Sequence, residues 1–289
     1  MKPRVGVIGV GAMGMGVAKT LLAKGFSVVV RDIVPEREAE AVGAGARRAS
    51  TPAEVASQVD VLITLVVDAD QTRAVIPAQA GIQAKAVMMC STISPTDTEE
   101  IAARLGAIPM LDAPISGGPA RAHAGTLSMM ASGPAEAFAH CAPVIDAIAA
   151  RCFRIGERPG DGSRMKVVNN MLAAANLAAG CEAMAMASRL GLDLAQTAEV
   201  VNASSGASWI FADRMARALE GDYAPRAAAR VLLKDVGLFV HEARKLGLTA
   251  PMAECAREIF HDTVARGYAE EDDAAVLKRY ADAWRASIP

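Results

Sequence analysis

Short apolar runs and amphipathic stretches alternate through the first half of the chain. RVGVIG at residues 4–9, SVVVRD at 27–32, VDVLITLV at 59–66 and AVMMCST at 86–92 each read as a buried strand. MLDAP at 110–114 and LSMMA at 127–131 read the same way. Residues 12–24 form the first intervening helix, stopped by Lys24-Gly25, because glycine closes a helix at low steric cost. Thr51-Pro52-Ala53-Glu54 carries a capping hydroxyl, a first-turn proline and a glutamate placed for a capping box, and Ser94-Pro95-Thr96-Asp97 opens another helix. Near-continuous apolar strands separated by helices predict a mostly parallel sheet covered on both faces.

The pattern changes near residue 160. Residues 156–162 form a loop rich in glycine and charge, and no strand pattern follows. Residues 163–190, 194–203, 208–219, 226–247, 251–267 and 272–285 all read as helices. The expected organisation is α/β: a doubly wound sheet over residues 1–162 and an all-helical domain over 163–289. The uncharged run 167–181 falls short of the ~20 apolar residues of a spanning helix and reads as a buried core helix. No signal-peptide pattern follows the basic start Met1-Lys2-Pro3-Arg4.

Composition narrows the function classes. Among 289 residues, 52% are hydrophobic and 21% charged, as in a folded globular protein. Thirty basic and thirty-two acidic residues leave a net charge of −2, and aromatics are 4%. Neither a basic excess nor a stacking platform points to nucleic acid. Five cysteines without a CxxC pair read as reduced thiols of a cytoplasmic protein. The four histidines form no cluster, and no ligand spacing suggests a metal. Glu270-Glu271-Asp272-Asp273 reads as a solvated cap on the last helix.

Gly9-Val10-Gly11-Ala12-Met13-Gly14 matches GxGxxG between the first strand and the first helix. That is the context in which the pattern binds a dinucleotide. Gly9 permits the turn, Gly11 removes a side chain where a pyrophosphate approaches, and Gly14 lets helix and strand pack closely. The helix N-terminus adds free N–H donors. Asp32 ends the second strand, 23 positions after Gly9, where a carboxylate accepts from ribose hydroxyls and repels a 2′-phosphate. NAD is therefore expected rather than NADP, although Arg31 and Arg37 stand close by in sequence. Strand-end loops in such sheets also line the cofactor crevice, which brings in Leu65, Val66 and Thr92.

Two further segments carry candidate chemistry. Ser116-Gly117-Gly118 offers a hydroxyl and bare backbone N–H groups, which suit a small carboxylate; a bulged turn between strands is the other reading. Lys166 and Asn170 are four apart on one helical face among apolar neighbours. Such a lysine is either a general acid/base in a site or a surface residue snorkelling to water.

GVGAMG at 9–14, Ser91-Thr92, DAPISGG at 112–118 and GSRMKVVNN at 162–170, in this order, resemble the β-hydroxyacid dehydrogenase family. That family includes 3-hydroxyisobutyrate dehydrogenases and tartronate semialdehyde reductases. The likeness extends over the chain through Ser208-Trp209, Lys234-Asp235 and Gly267-Tyr268. ASGP at 131–134, GDYAPR at 221–226 and EEDDAAV at 270–276 resemble its L-threonate dehydrogenase branch. The resemblance implies a Rossmann-type domain, a helical domain and a site in a cleft between them. It implies Lys166 as catalytic lysine, Asn170 holding substrate and lysine, and Ser116, Gly117 and Gly118 receiving the substrate carboxylate. Thr92 would sit near the nicotinamide and Lys234 would reach the cofactor. It also implies a homodimer or homotetramer. Leu65-Val66-Val67 departs from the Leu-Pro or Met-Pro step of many members. A non-catalytic dinucleotide sensor is the rival of another class; a sensor has no use for a lysine, an asparagine and a glycine pair together.

Overall fold

The computed structural model describes residues 2–76 and 82–288. Contacts divide the chain into two compact units, Met1–Lys166 and Val167–Pro289.

The first unit is built on a nine-stranded sheet among the described residues. Its parallel part comprises β1 (Val5–Ile8), β2 (Val28–Arg31), β3 (Arg47–Arg48), β4 (Val61–Thr64), β5 (Ala86–Met89) and β6 (Met110–Asp112). These lie in the order β3-β2-β1-β4-β5-β6, with Val5 opposite both Val28 and Val61. That is the doubly wound Rossmann order. β7 (Ile115–Ser116) and β8 (Leu127–Ser132) continue the sheet antiparallel, and β9 (Ala149–Gly156) pairs parallel with β8.

Side chains alternate between faces with period two. Val5, Val7, Val61, Ile63 and Met88 pack on one side with α1 (Ala12–Ala23), Ala122 of α6 (Gly118–Ala124) and α7 (Ala135–Ile148). Ile8, Leu62, Val87 and Met89 pack on the other with α3 (Pro52–Ala56) and α5 (Pro95–Arg104). The caps form as the residues dictate. Thr51 Oγ1 accepts from Glu54 N–H at 3.1 Å while Glu54 Oε2 accepts from Ser50 N–H, and Ser94 Oγ accepts from Asp97 N–H.

Three strands escape the sequence pattern. β3 and β7 are two residues long, and β9 lies mostly exposed with no alternation of polar and apolar positions. An edge strand paired on one side has no apolar face to bury, so it leaves no period.

The second unit is helical. α8 (Asp161–Arg189) leads into it, followed by α9 (Leu194–Asn202), α10 (Trp209–Ala218), α11 (Ala229–Lys245), α12 (Pro251–Thr263) and α13 (Val276–Trp284). At 29 residues, α8 is long and apolar enough by length and composition to cross a membrane. Yet its Leu177, Cys181, Met184 and Ala185 are buried in a core with Phe211, Val236 and Phe260, which makes it a core helix. The acidic run before α13 is not the solvated cap its composition suggests. Asp272 and Asp273 are buried, and two arginines of α10 explain why. Arg214 grips Asp273 at 2.5 and 3.1 Å, and Arg217 meets Asp272 at 3.0 Å.

Candidate active site

The glycine turn follows β1 and opens α1. Gly9 has φ +90°, and a Cβ there would lie 2.3 Å from the Leu65 carbonyl oxygen. A Cβ on Gly14 would fall 1.9 Å from the Gly9 carbonyl oxygen. Both glycines are thus required by the fold. Gly11 is different: its nearest neighbour would be Arg37 Nη1, 3.8 Å away. Among the described residues no side chain comes nearer, which leaves a concave backbone surface beside the first-turn N–H groups of Ala12 and Met13.

Asp32, just past β2, is buried and faces this turn. Its Oδ2 accepts from Val10 N–H at 2.7 Å and its Oδ1 from Val34 N–H at 2.9 Å. Glu38, on α2 (Pro35–Gly43), stands behind it. Glu38 Oε1 accepts from Asp32 N–H at 3.0 Å and from Arg31 Nη1 at 2.5 Å, and Oε2 faces Arg48 Nε at 2.9 Å as an ion pair without hydrogen-bond alignment. Burial works against the ionised Glu38 carboxylate. The Asp32 N–H and the two guanidiniums outweigh it and hold the pKa below the usual carboxylate value. Leu65 and Val66 are half-buried at the end of β4, where Val66 N–H donates to Ser91 Oγ at 3.1 Å; Thr92 is half-buried beside Ser91.

Lys166 lies on α8 and is only 7% exposed. Its Nζ donates to the Ile115 carbonyl at 2.8 Å. This brings the ammonium to the strand that ends in Ser116, directly before Gly117 (φ +130°) and Gly118 (φ +72°). Both glycines occupy conformations that side-chain-bearing residues avoid, and Ser116, Gly117 and Gly118 are all half-buried. A snorkelling lysine would instead carry its ammonium to water.

Asn170 lies one helical turn beyond Lys166 and is 9% exposed. Its Nδ2 donates to Asp235 Oδ2 at 2.6 Å, and its Oδ1 accepts from Asn169 Nδ2 at 3.0 Å. Asp235 Oδ1 accepts from Lys234 Nζ at 2.6 Å. One buried carboxylate on α11 therefore joins two of the residues singled out from the sequence.

Asp112, Ser163 and Asp235 lie in the motifs quoted above without a role of their own, and Glu38 lies outside them. Asp112 closes the apolar strand β6 and is fully buried. A carboxylate in that setting needs several donors, and this was the available signal. Burial pushes its pKa up against hydrogen bonds from Ser163 and Gly160. The cysteines offer no rival nucleophile in the buried core: burial pushes the Cys90 and Cys181 thiols far up and Cys141 to about 12. Among the described residues no group of His, Cys, Asp and Glu could hold a metal ion.

Residues 4–156 match the family described as the NAD-binding domain of 6-phosphogluconate dehydrogenase. Residues 160–280 match the NAD-binding family of NADP-dependent 3-hydroxyisobutyrate dehydrogenase. The chain is 41% identical to an L-threonate dehydrogenase of Cupriavidus necator, covering 96% of both chains. It is 39% identical to an L-threonate dehydrogenase of Escherichia coli K12, covering 96% of this chain and 94% of that one. A solved structure described as a 3-hydroxyisobutyrate dehydrogenase from Salmonella typhimurium is 40% identical, with a TM-score of 0.88, over 96% of this chain and 100% of that one.

Proposed function

Since the chain belongs to the 3-hydroxyisobutyrate dehydrogenase-like family of NAD-dependent β-hydroxyacid dehydrogenases, we propose that it oxidises L-threonate or a similar four-carbon sugar acid, with Lys166 as the catalytic base. The observation that carries this reading is the buried Lys166 ammonium, held 2.8 Å from the Ile115 carbonyl at the start of the Ser116–Gly118 turn.

The glycine turn fits a dinucleotide, because among the described residues the first atom to meet a Cβ on Gly11 from elsewhere in the chain is Arg37 Nη1, at 3.8 Å. Gly9, Val10, Gly11, Ala12, Met13 and Gly14 would hold the pyrophosphate, and Asp32 the ribose. Leu65, Val66, Thr92 and Lys234 would supply further contacts. When bound, NAD supplies the hydride acceptor. Ser116 and the N–H groups of Gly117 and Gly118 receive the substrate carboxylate and so fix which carbon is presented. Lys166, as the neutral amine, takes the hydroxyl proton during oxidation and returns it during reduction. Asn170 steadies the substrate hydroxyl. Asp235 can only accept, so it holds the Asn170 amide nitrogen and leaves Oδ1 turned the other way.

A second reading follows from the Salmonella structure described as a 3-hydroxyisobutyrate dehydrogenase. L-threonate is oxidised next to the carboxylate and 3-hydroxyisobutyrate one carbon further out. The test is NADH formation with L-threonate, D-erythronate, 3-hydroxyisobutyrate, glycerate and L-serine, each with NAD and NADP. L-threonate with NAD should give the highest kcat/KM; a higher value with 3-hydroxyisobutyrate establishes the second reading. NAD binding without turnover of any acid would make the chain a sensor. Lys166→Ala should lower kcat by about 10²–10⁴-fold, the usual worth of a general base, with NAD binding retained. Near-normal kcat would remove Lys166 from the chemistry.

We propose that the chain assembles through α8. Met165, Val168, Leu172 and Met186 are 38–57% exposed and recur at spacings of a helical seam. A second copy of the chain covers them in the proposed homo-oligomer. Light scattering should show Val168→Asp with Leu172→Asp to be monomeric, and an unchanged mass would refute this seam. Five free thiols suit a cytoplasmic enzyme.

A further inference from the structure

Asp112 is buried, saturated with donors and bound to the helix that carries Lys166. Its Oδ2 accepts from Gly160 N–H and Ser163 N–H, both at 2.8 Å, and from Ser132 Oγ at 3.3 Å. Its Oδ1 accepts from Ser163 Oγ at 2.9 Å. Ser132 Oγ in turn accepts from Gly162 N–H at 2.8 Å, and Thr98 Oγ1 lies 2.9 Å from Ser163 Oγ. The N–H groups at the start of a helix lack partners within it and favour an anion. Here the anion comes from a strand rather than from the residue before the helix. The approach is close: a Cβ on Gly162 would lie 2.6 Å from the Met130 carbonyl oxygen and 2.8 Å from that of Asp112.

We propose that Asp112 is a positioning residue that acts through the first turn of α8 to set Lys166 against the Ser116–Gly118 turn. Asp112 and Ile115 are three apart on one segment, and Ser163 and Lys166 are three apart on one helix. Asp112 binds Ser163, and Ile115 binds Lys166. Two anchors fix both the rotation of the helix and its slide along the segment. With only the Ile115 contact, the long lysine side chain could follow a shifted helix and still reach a carbonyl. A helix residue rises ~1.5 Å, and a misplacement of about 1 Å at a reacting group costs roughly 10²-fold in rate. A cap that served stability alone could be local, as Ser94 and Thr51 are on their helices. Asp112 instead caps from the segment that continues into the glycine pair, and a buried carboxylate is a costly way to do so.

This inference rests on Lys166 being the catalytic base, so the experiment is a double-mutant cycle on the full-length enzyme. Asp112→Ala, Lys166→Ala and the double variant are compared with wild type in kcat, KM, NAD affinity and melting temperature. The hydroxy acid is the best substrate of the panel above. Asp112→Ala should lower kcat by about 10²-fold with NAD affinity nearly unchanged. In the Lys166→Ala background the same change should lower kcat by less than about 2-fold, because the group it positions is gone. Asp112→Asn keeps an acceptor for the helix N–H groups and should recover most of the lost kcat. Where Asp112→Ala fails to fold, Ser163→Ala removes the Oγ anchor alone and enters the same cycle. A kcat loss that multiplies in full with that of Lys166→Ala, or no loss, overturns the inference. A Lys166→Ala enzyme with normal kcat overturns the base assignment instead, and the two failures are thereby distinct.

Discussion

Glu38→Gln separates what the end of β2 does for stability from what it does for cofactor choice. Glu38 is 1% exposed and binds Arg31, Arg48 and the Asp32 N–H together. Glutamine keeps the volume and one carbonyl oxygen for Asp32, but it discards the charge. The Arg48 side chain is 62% exposed, so its ion pair contributes no more than ~1 kcal/mol. Arg31 is 26% exposed, and its charge-assisted bond is worth about 1.5–3 kcal/mol. The sum, about 1.5–4 kcal/mol, lowers the melting temperature by roughly 3–16 °C at ~2–4 °C per kcal/mol. The difference from wild type should depend on pH. The folded Glu38 pKa is held below its usual 4.5, so its contribution is complete above that value and fades as the pH falls below it. The second consequence concerns the cofactor. Arg31 adjoins Asp32, whose carboxylate disfavours a 2′-phosphate, and Glu38 occupies the guanidinium that could offset this. Released, Arg31 can pair with a phosphate for about 1–1.4 kcal/mol, which raises the NADP to NAD ratio of kcat/KM by roughly 5–10-fold. Steady-state kinetics with both cofactors measures the ratio. If the melting temperature falls but the ratio does not move, Glu38 has no part in cofactor selection.

Two more outcomes follow from the same geometry. Gly11→Ala should leave the melting temperature of the unliganded protein nearly unchanged and weaken NAD binding at least ~10-fold, because only the ligand's space is filled. Gly14→Ala should weaken both, since its Cβ meets the Gly9 carbonyl oxygen at 1.9 Å; calorimetry and NAD titration on the pair would contradict this if both variants behaved alike. Asp272→Ala strips a buried carboxylate from Arg217 and from the Arg226 N–H. Breaking a buried pair costs about 3–5 kcal/mol. A urea midpoint corresponding to less than ~1 kcal/mol would show that Asp222 and the Ala224 carbonyl suffice for Arg217.

The parts of the fold with a strong period were legible in the residues. β1, β4 and β5 are buried on both faces, and their unbroken apolar runs say so. Among the helices after residue 160, α10 to α13 show an apolar face because each lays one side on the core, whereas α8 is apolar on its buried and exposed sides alike. β9 left no trace, since an exposed strand on the border of a sheet is specified by its partner β8 and not by its own side chains. The acidic run before α13 misled for a related reason. Four adjacent carboxylates look solvated until Arg214 and Arg217, more than fifty residues earlier, supply the opposing charge. No local window contains both halves of such a pair.

The same limit explains which site residues could be read and which could not. Gly9, Gly11 and Gly14 stand out because their GxGxxG spacing falls between a strand and a helix, and Lys166 because a charge sits among apolar neighbours. Asp112, Asp235 and Glu38 act on other residues rather than on a ligand, and their partners are 51, 65 and 7 positions away. Their effect is nonetheless to decide where the recognisable residues point. Asp32 belongs to both groups: a ribose-binding position by its spacing, it also holds the Val10 N–H inside the glycine turn. A substitution at Asp32 therefore cannot report on ribose recognition alone. Glu38, which touches Asp32 only through its backbone N–H, leaves that carboxylate in place and is the cleaner probe of how the cofactor is chosen.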